Sequence, residues 1–123
     1  MILVDASVWV HHLRRSDAAL VRQLEAGNVL THPFVIGEIA CGHLPRRRET
    51  LLQLNRLPQA PVVGQGEALG FIDRHDLAGR GVGYVDMHVL ASALLARTNL
   101  WTRDKRLAQV AAELRIAHDA KSS

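Results

Sequence analysis

Apolar positions along this chain alternate between continuous short runs and helical spacing. Met1-Ile2-Leu3-Val4 is an unbroken apolar run ended by Asp5, which predicts a short buried strand. Ser7 is then placed to cap a helix through Val8-Trp9-Val10-His11-His12-Leu13. Arg14-Arg15-Ser16-Asp17 is a polar break, and Asp17 caps a second helix with Leu20, Val21 and Leu24 on one face. Gly27-Asn28 closes that helix, and Val29-Leu30-Thr31 predicts a second strand. Pro33 suits the first turn of a helix running from about Phe34 to Leu44. Pro45 and the Arg46-Arg47-Arg48 run interrupt it. Glu49 to Leu57 predicts another helix, stopped by Pro58, and Pro61-Val62-Val63 is a strand candidate. A mixed helix from Glu67 to Leu77 leads to a loop marked by Gly79, Gly81 and Gly83. Asp86 opens the helical stretch Met87 to Leu95, and Asn99-Leu100-Trp101-Thr102 predicts a central strand. Lys105 to Arg115 is a helix with Leu107, Val110, Ala111 and Leu114 at helical spacing, and Ile116-Ala117-His118 is a last short strand.

Short strands alternating with helices or helix pairs predict a parallel α/β sheet joined by right-handed crossovers. The length suits one domain over residues 1–123, with a tail fraying from about residue 119. No internal repeat, low-complexity tract or linker interrupts it.

Composition narrows this further. The chain is 48% hydrophobic but only 4% aromatic, so aliphatic packing dominates its core. No apolar run reaches the roughly 18 residues of a membrane span, and no basic segment leads into a long apolar one at the start. The expectation is a cytoplasmic protein with no membrane partner. Cys41 is the only cysteine, which excludes an intramolecular disulfide, and it is read as a small buried hydrophobe.

Four carboxylates then change the picture. Asp5 and Asp104 follow strand-like runs, Asp86 opens a helix, and Glu38 interrupts Phe34-Val35-Ile36-Gly37-Glu38-Ile39-Ala40. Ligands of open parallel sheets bind beyond the carboxyl ends of the strands, where Asp5 and Asp104 sit. Each Asp taken singly also reads as a turn or helix cap. Glu38 does not, because it falls mid-helix among apolar neighbours, where an unpaired buried carboxylate is costly. Two carboxylates about 4 Å apart repel by about 4 kcal/mol at an effective dielectric of 20. A converging set therefore calls for a cation, and all-oxygen ligation points to Mg²⁺ or Mn²⁺. Setting these four aside leaves eight acids against 15 Lys and Arg, a balance of +7 where the whole chain carries +3. Lys105 and Lys121 are the only lysines, so this charge is mostly arginine, whose planar fork suits phosphate.

Val4-Asp5-Ala6-Ser7, Glu38 in the third helix, Gly83-Tyr84-Val85-Asp86 before Leu90-Ala91-Ser92-Ala93, and Trp101-Thr102-Arg103-Asp104-Lys105-Arg106-Leu107 occur in this order over nearly the whole chain. The ordered set resembles the PIN-domain ribonucleases, and within them the VapC-type toxins of type II toxin–antitoxin systems. The resemblance implies a three-layer α/β/α fold with a short, mainly parallel central sheet. It implies that Asp5, Glu38, Asp86 and Asp104 are the catalytic, metal-binding acids and that Ser7 and Thr102 support them. It implies Mg²⁺- or Mn²⁺-dependent endoribonuclease activity, in which a metal-activated water hydrolyses RNA to 5′-phosphate and 3′-hydroxyl ends. It also implies a cognate protein antitoxin and a homodimer, or a larger toxin–antitoxin assembly. A housekeeping PIN-type RNA-processing nuclease is the alternative, followed by a non-catalytic PIN-like module that binds RNA or protein.

Arg103 and Lys105, which flank Asp104, are candidates to meet RNA phosphate. Arg46-Arg47-Arg48 reads either as a solvated loop or as an RNA clamp. Seven histidines raise a metal-free mechanism, but none lies in a motif, and His88, near Asp86, is the first to test for it. Trp9, Val10, Leu13, Leu20 and Leu24 read as core, with an exposed subset available to a second copy or an antitoxin. The spaced glycines 79, 81 and 83 follow no clear strand, which argues against a dinucleotide fingerprint.

Overall fold

The computed structural model describes residues 1–120. The tail expected from about residue 119 therefore lies, beyond Asp119 and Ala120, outside the described residues. Three parallel strands form the sheet: β1 (Ile2–Val4), β2 (Val29–Leu30) and β3 (Asn99–Trp101), in the order β2-β1-β3. Helices pack on both faces to give the expected three layers. They are α1 (Ala6–Arg15), α2 (Ala18–Glu25), α3 (Pro33–Ala40), α4 (Arg47–Arg56), α5 (Gln65–Arg74), α6 (Tyr84–Ala96) and α7 (Lys105–Glu113).

β1, not β3, is the central strand. Ile2, Leu3 and Val4 pair with Asn99, Leu100 and Trp101 on one side, and Ile2 and Leu3 pair with Val29 and Leu30 on the other. All three β1 side chains are buried, each contributing about 2 kcal/mol through burial. A strand covered on both faces has no polar alternation, which is why it reads as a continuous apolar run. One residue of pairing extends each edge of the sheet, Thr31 with Gln59 and Leu100 with Ala117.

Several sequence expectations shift. Pro61-Val62-Val63 forms no strand; the contact with the sheet is made just before it. Thr31 N–H donates to the Pro58 carbonyl and Ala60 N–H to the Thr31 carbonyl, at 2.9 and 2.8 Å. Ser7 is not the cap of α1; Asp5 is, and Ser7 lies within the first turn. α3 stops at Ala40 rather than Leu44. The Arg47 guanidinium takes the carbonyls of Ala40 at 2.6 Å and Gly42 at 3.1 Å, closing the helix end. Cys41, expected to be buried, is exposed at that same end. α6 is buried on nearly every side from Met87 to Ala93, so it runs through the interior as a central helix.

Candidate metal centre

The site begins where β1 ends. Asp5 is 4% exposed, and its backbone N–H still donates to the Trp101 carbonyl at 2.9 Å, holding it in register with β3. Its Oδ2 accepts the hydroxyl of Ser7 at 2.7 Å and the hydroxyl of Thr102 at 2.8 Å. Each hydroxyl has one proton, so both are used on Asp5. Their lone pairs are filled in turn by backbone donors. Arg103 N–H reaches Ser7 Oγ at 2.9 Å, and Asp104 N–H reaches Thr102 Oγ1 at 3.1 Å. One oxygen of Asp5 is thus anchored through two hydroxyls to the turn after β3, and Oδ1 takes no part in that network.

Asp86 and Glu38 complete the cluster. Ligand oxygens of Asp5, Glu38 and Asp86 all lie within 4.8 Å of one another. α6 delivers Asp86 from its first turn and α3 delivers Glu38 from its middle. Among the described residues neither carboxyl receives a hydrogen bond from a side chain or a backbone N–H. The expectation that Glu38 is buried is overturned: Val35, Ile36 and Ile39 form the buried face of α3, while Phe34, Gly37 and Glu38 are exposed on the other. Glu38 stands at the rim, only partly buried, and its carboxyl meets the acids there.

The charges act on one another. Burial, then the charges of Asp5, Glu38 and Asp104, push the Asp86 carboxyl up to about 7. Partial burial and then Asp5 raise Glu38. Carboxyls this reluctant to ionise, with no donors to stabilise them, are suited to a cation.

Asp104 stands apart from the other three. Its Oδ1 accepts the N–H groups of Arg106 at 2.9 Å and Leu107 at 3.0 Å, so it caps α7, and it does not join the group within 4.8 Å. It is near enough for its charge to raise Asp86. Asp104 thus caps α7 through Oδ1 and raises Asp86 by its charge, and the cap makes no use of Oδ2.

Beside the acids lies an open groove of about 720 Å³, lined by Ser7, Val10, His11, Arg14 and Arg15 of α1 together with Glu38, Arg103 and Asp104. Arg14 and Arg15, read from sequence as a polar break, form its basic wall. Counting helical turns from Asp5 would have found them, since Ser7, Val10, His11 and Arg14 share one face. Lys105 is exposed at the start of α7. Arg46, Arg47 and Arg48 line a separate depression with Glu49 and Leu52. There Arg47 closes α3 and Arg46 pairs with Glu49 at 3.7 Å.

Other sequence candidates are also placed. Trp9 and Leu20 are core, while Leu13 and Leu24 join Leu54 and Leu57 in an apolar cleft of about 210 Å³. His88 is buried, and its Nδ1 has no hydrogen-bond partner. His32 went unnoticed in the sequence. It is fully buried and caps α3 by accepting Phe34 N–H on Nδ1 at 2.9 Å, so Nε2 carries the proton and donates to Ser92 at 3.1 Å. Burial and His88 push His32 down to about 4. Gly81, at φ +76°, makes room for Arg106: a Cβ there would lie 2.6 Å from its guanidinium. The salt bridge from Arg80 to Glu113 at 2.7 Å ties the same loop to α7.

The PIN domain model matches residues 2–113, nearly the whole length over which these elements are arranged. The chain belongs to the PIN-domain family. Its relatives include Ribonuclease VapC32 of two Mycobacterium tuberculosis strains, CDC 1551 / Oshkosh and H37Rv. Each is 48% identical over 118 residues, covering 95% of both chains. The PIN fold also superposes on the crystal structure of PAE2754 from Pyrobaculum aerophilum with a TM-score of 0.65 and 18% identity. That match covers 98% of this chain and 91% of the other. Within this PIN domain, no described helix is long and apolar enough to cross a membrane.

Proposed function

We propose that this protein is a divalent-metal-dependent endoribonuclease of the VapC toxin type. The observation that carries the reading is the convergence of Asp5, Glu38 and Asp86 at the edge of a parallel sheet, beside an arginine-walled groove. The similarity to Ribonuclease VapC32 over 95% of both chains supports it.

The residues fit a hard cation. All donors are oxygen, and burial together with the charges of Asp5, Glu38 and Asp104 pushes the Asp86 carboxyl up to about 7. Asp5, Glu38 and Asp86 would hold Mg²⁺ or Mn²⁺. Such an ion, when bound, polarises a phosphoryl oxygen and lowers the pKa of water. The chain's own residues do the rest. Ser7 and Thr102 fix the orientation of the Asp5 carboxylate by holding its Oδ2. Arg14, Arg15 and Arg103 draw the RNA backbone along the groove, and the exposed Lys105 beside Asp104 adds positive charge. Asp104 holds α7 in place and keeps the field at Asp86 negative. Hydrolysis assisted in this way needs no 2′-hydroxyl, so the products carry 5′-phosphate and 3′-hydroxyl ends.

A partner follows from the same reading. A cognate antitoxin would cover the acids and could use the apolar cleft between α1, α2 and α4 as an anchor, and two copies of the toxin would pair.

The test is end-mapping of cellular RNA after incubation with the purified chain. Cleavage that needs Mg²⁺ or Mn²⁺, stops with EDTA and is absent in Asp5→Asn is expected. Cyclic 2′,3′-phosphate ends, or EDTA-resistant cutting, would overturn the reading. Growth arrest on expression, relieved by the product of an adjacent reading frame, tests the toxin role.

A further inference from the structure

The five aromatic residues divide sharply. Trp9, Phe71 and Trp101 are 4, 7 and 5% exposed, whereas Phe34 and Tyr84 are 37 and 47% exposed. The two exposed rings occupy the two helices that carry Glu38 and Asp86. Phe34 lies one turn before Glu38 on the same face of α3, and Tyr84 starts α6 two residues before Asp86. Both meet a single ring. His88 packs edge-on against Phe34 with centroids 4.9 Å apart and against Tyr84 at 4.6 Å. His88 is itself buried and its Nδ1 makes no hydrogen bond, so its part here is to wedge the other two in place.

We propose that Phe34 and Tyr84, braced by His88, form a ledge on which a nucleobase next to the scissile phosphate stacks. This rests on the ribonuclease reading of the neighbouring acids. Each base is one sugar away from its phosphate, so a phosphodiester that reaches Glu38 and Asp86 brings a base against the turns that precede them. Rings stack on any base, and they do so without hydrogen-bond readout. Two rings are too small a patch for a stable protein contact, which takes about 800 Å² from each partner. The ledge would position substrate without touching the reacting atoms.

The test compares binding of a short labelled single-stranded RNA with binding of its fully abasic counterpart, with Ca²⁺ in place of Mn²⁺. The wild-type chain is expected to prefer the intact RNA by about 10-fold, the size of one good stacking contact. The Phe34→Leu, Tyr84→Leu double variant should lose that preference, while Tyr84→Phe keeps it and Mn²⁺ affinity by calorimetry stays unchanged. Equal preference in wild type and double variant would overturn the ledge. So would a loss of affinity that is the same for intact and abasic RNA, or a loss that follows a change in oligomeric state by sedimentation. Absence of cleavage by the wild type in Mn²⁺ bears on the ribonuclease reading instead, because the base preference is measured without cutting.

Discussion

Asp5 and Asp86 are two acids of one cluster, held by opposite means. Asp5 is nearly inaccessible and receives two hydroxyl donors, each supported by a backbone N–H from the turn after β3. Asp86 receives none, and burial among like charges drives its proton affinity up to about 7. Hydrogen bonds to a carboxylate stabilise its charged form, whereas burial and like charges destabilise it. One acid is therefore a fixed post, built by the fold before any ion arrives. The other is a charge the fold leaves uncompensated. A site needs both kinds. A fully satisfied cluster would have little reason to bind a cation, and a fully unsatisfied one would have no fixed geometry.

The strongest way to break this comparison is to neutralise either acid. Asp5→Asn and Asp86→Asn should each lower RNA cleavage in saturating Mn²⁺ by roughly 10³-fold, since about 4 kcal/mol of transition-state stabilisation is at stake. The two should then differ in metal binding. In the wild type, Mn²⁺ affinity should climb as pH rises through about 7, because Asp86 must lose its proton to act as a ligand. In Asp86→Asn that step disappears, while residual binding persists through Asp5 and Glu38. Isothermal titration at pH 6 and pH 8 reads both effects.

The support of Asp5 comes next. Thr102→Val keeps the volume but removes one of the two hydroxyls on Oδ2 and leaves Asp104 N–H without its acceptor. Groups that orient a metal ligand are typically worth 10–100-fold in affinity or activity. A loss of that size in Mn²⁺ affinity is expected, with Thr102→Ser closest to wild type. If Thr102→Val binds Mn²⁺ as well as wild type does, the anchoring of Asp5 is not what prepares the site.

Stability should move in the opposite direction at Asp86. Its folded proton affinity exceeds the unfolded value, so the folded state holds a proton that the unfolded chain has lost. Stability without metal therefore falls as pH rises from about 4 to about 7, and the full cost is present above 7. Asp86→Asn removes that cost. At pH 8 in EDTA the variant should be more stable by about 1–2 kcal/mol, allowing for solvent screening of a half-exposed group. That corresponds to a gain of a few degrees in Tm. The gain should vanish near pH 4 and reverse when Mn²⁺ saturates the wild type. His32 provides an internal control. Its proton affinity is depressed to about 4, so its contribution is intact above about 6.5 and is lost as pH falls toward 4, whatever residue stands at 86.

The contrast also separates what the chain discloses from what only folding supplies. The acids are legible because each breaks a local pattern. Asp5 ends a run buried on both faces, and Glu38 intrudes on an apolar segment. Its apolar neighbours nevertheless point Glu38 to the interior, since a helix of eight residues with so much apolar surface gives little sign of which face lies open. Asp104 reads equally well as cap and ligand, and its Oδ1 bonds to Arg106 and Leu107 show the cap while leaving its other oxygen uncommitted. His32 lies in no motif because its partners are a neighbouring N–H and a serine 60 positions away. The Ser7 and Thr102 hydroxyls meet at one oxygen of Asp5 across 95 positions of sequence, a closure that no local pattern records.

The smallest effect is expected where the sequence was most conspicuous. Arg46-Arg47-Arg48 is the densest basic run in the chain, yet Arg47 spends its guanidinium on the end of α3 and the run lines its own depression. Arg14 and Arg15 are less conspicuous but face the groove that holds Glu38 and Asp104. Phosphate contacts are read by salt, and each one lost lowers the slope of log affinity against log salt by about one. Arg14→Ala with Arg15→Ala should weaken RNA binding several-fold and lower that slope by about two. Arg46→Ala with Arg48→Ala should change affinity by less than about twofold and leave the slope in place, as substitutions on a solvated face do. A reversed result would move the RNA path to the other side of α3. The acids would keep their place, and the groove beside them would then need a different occupant.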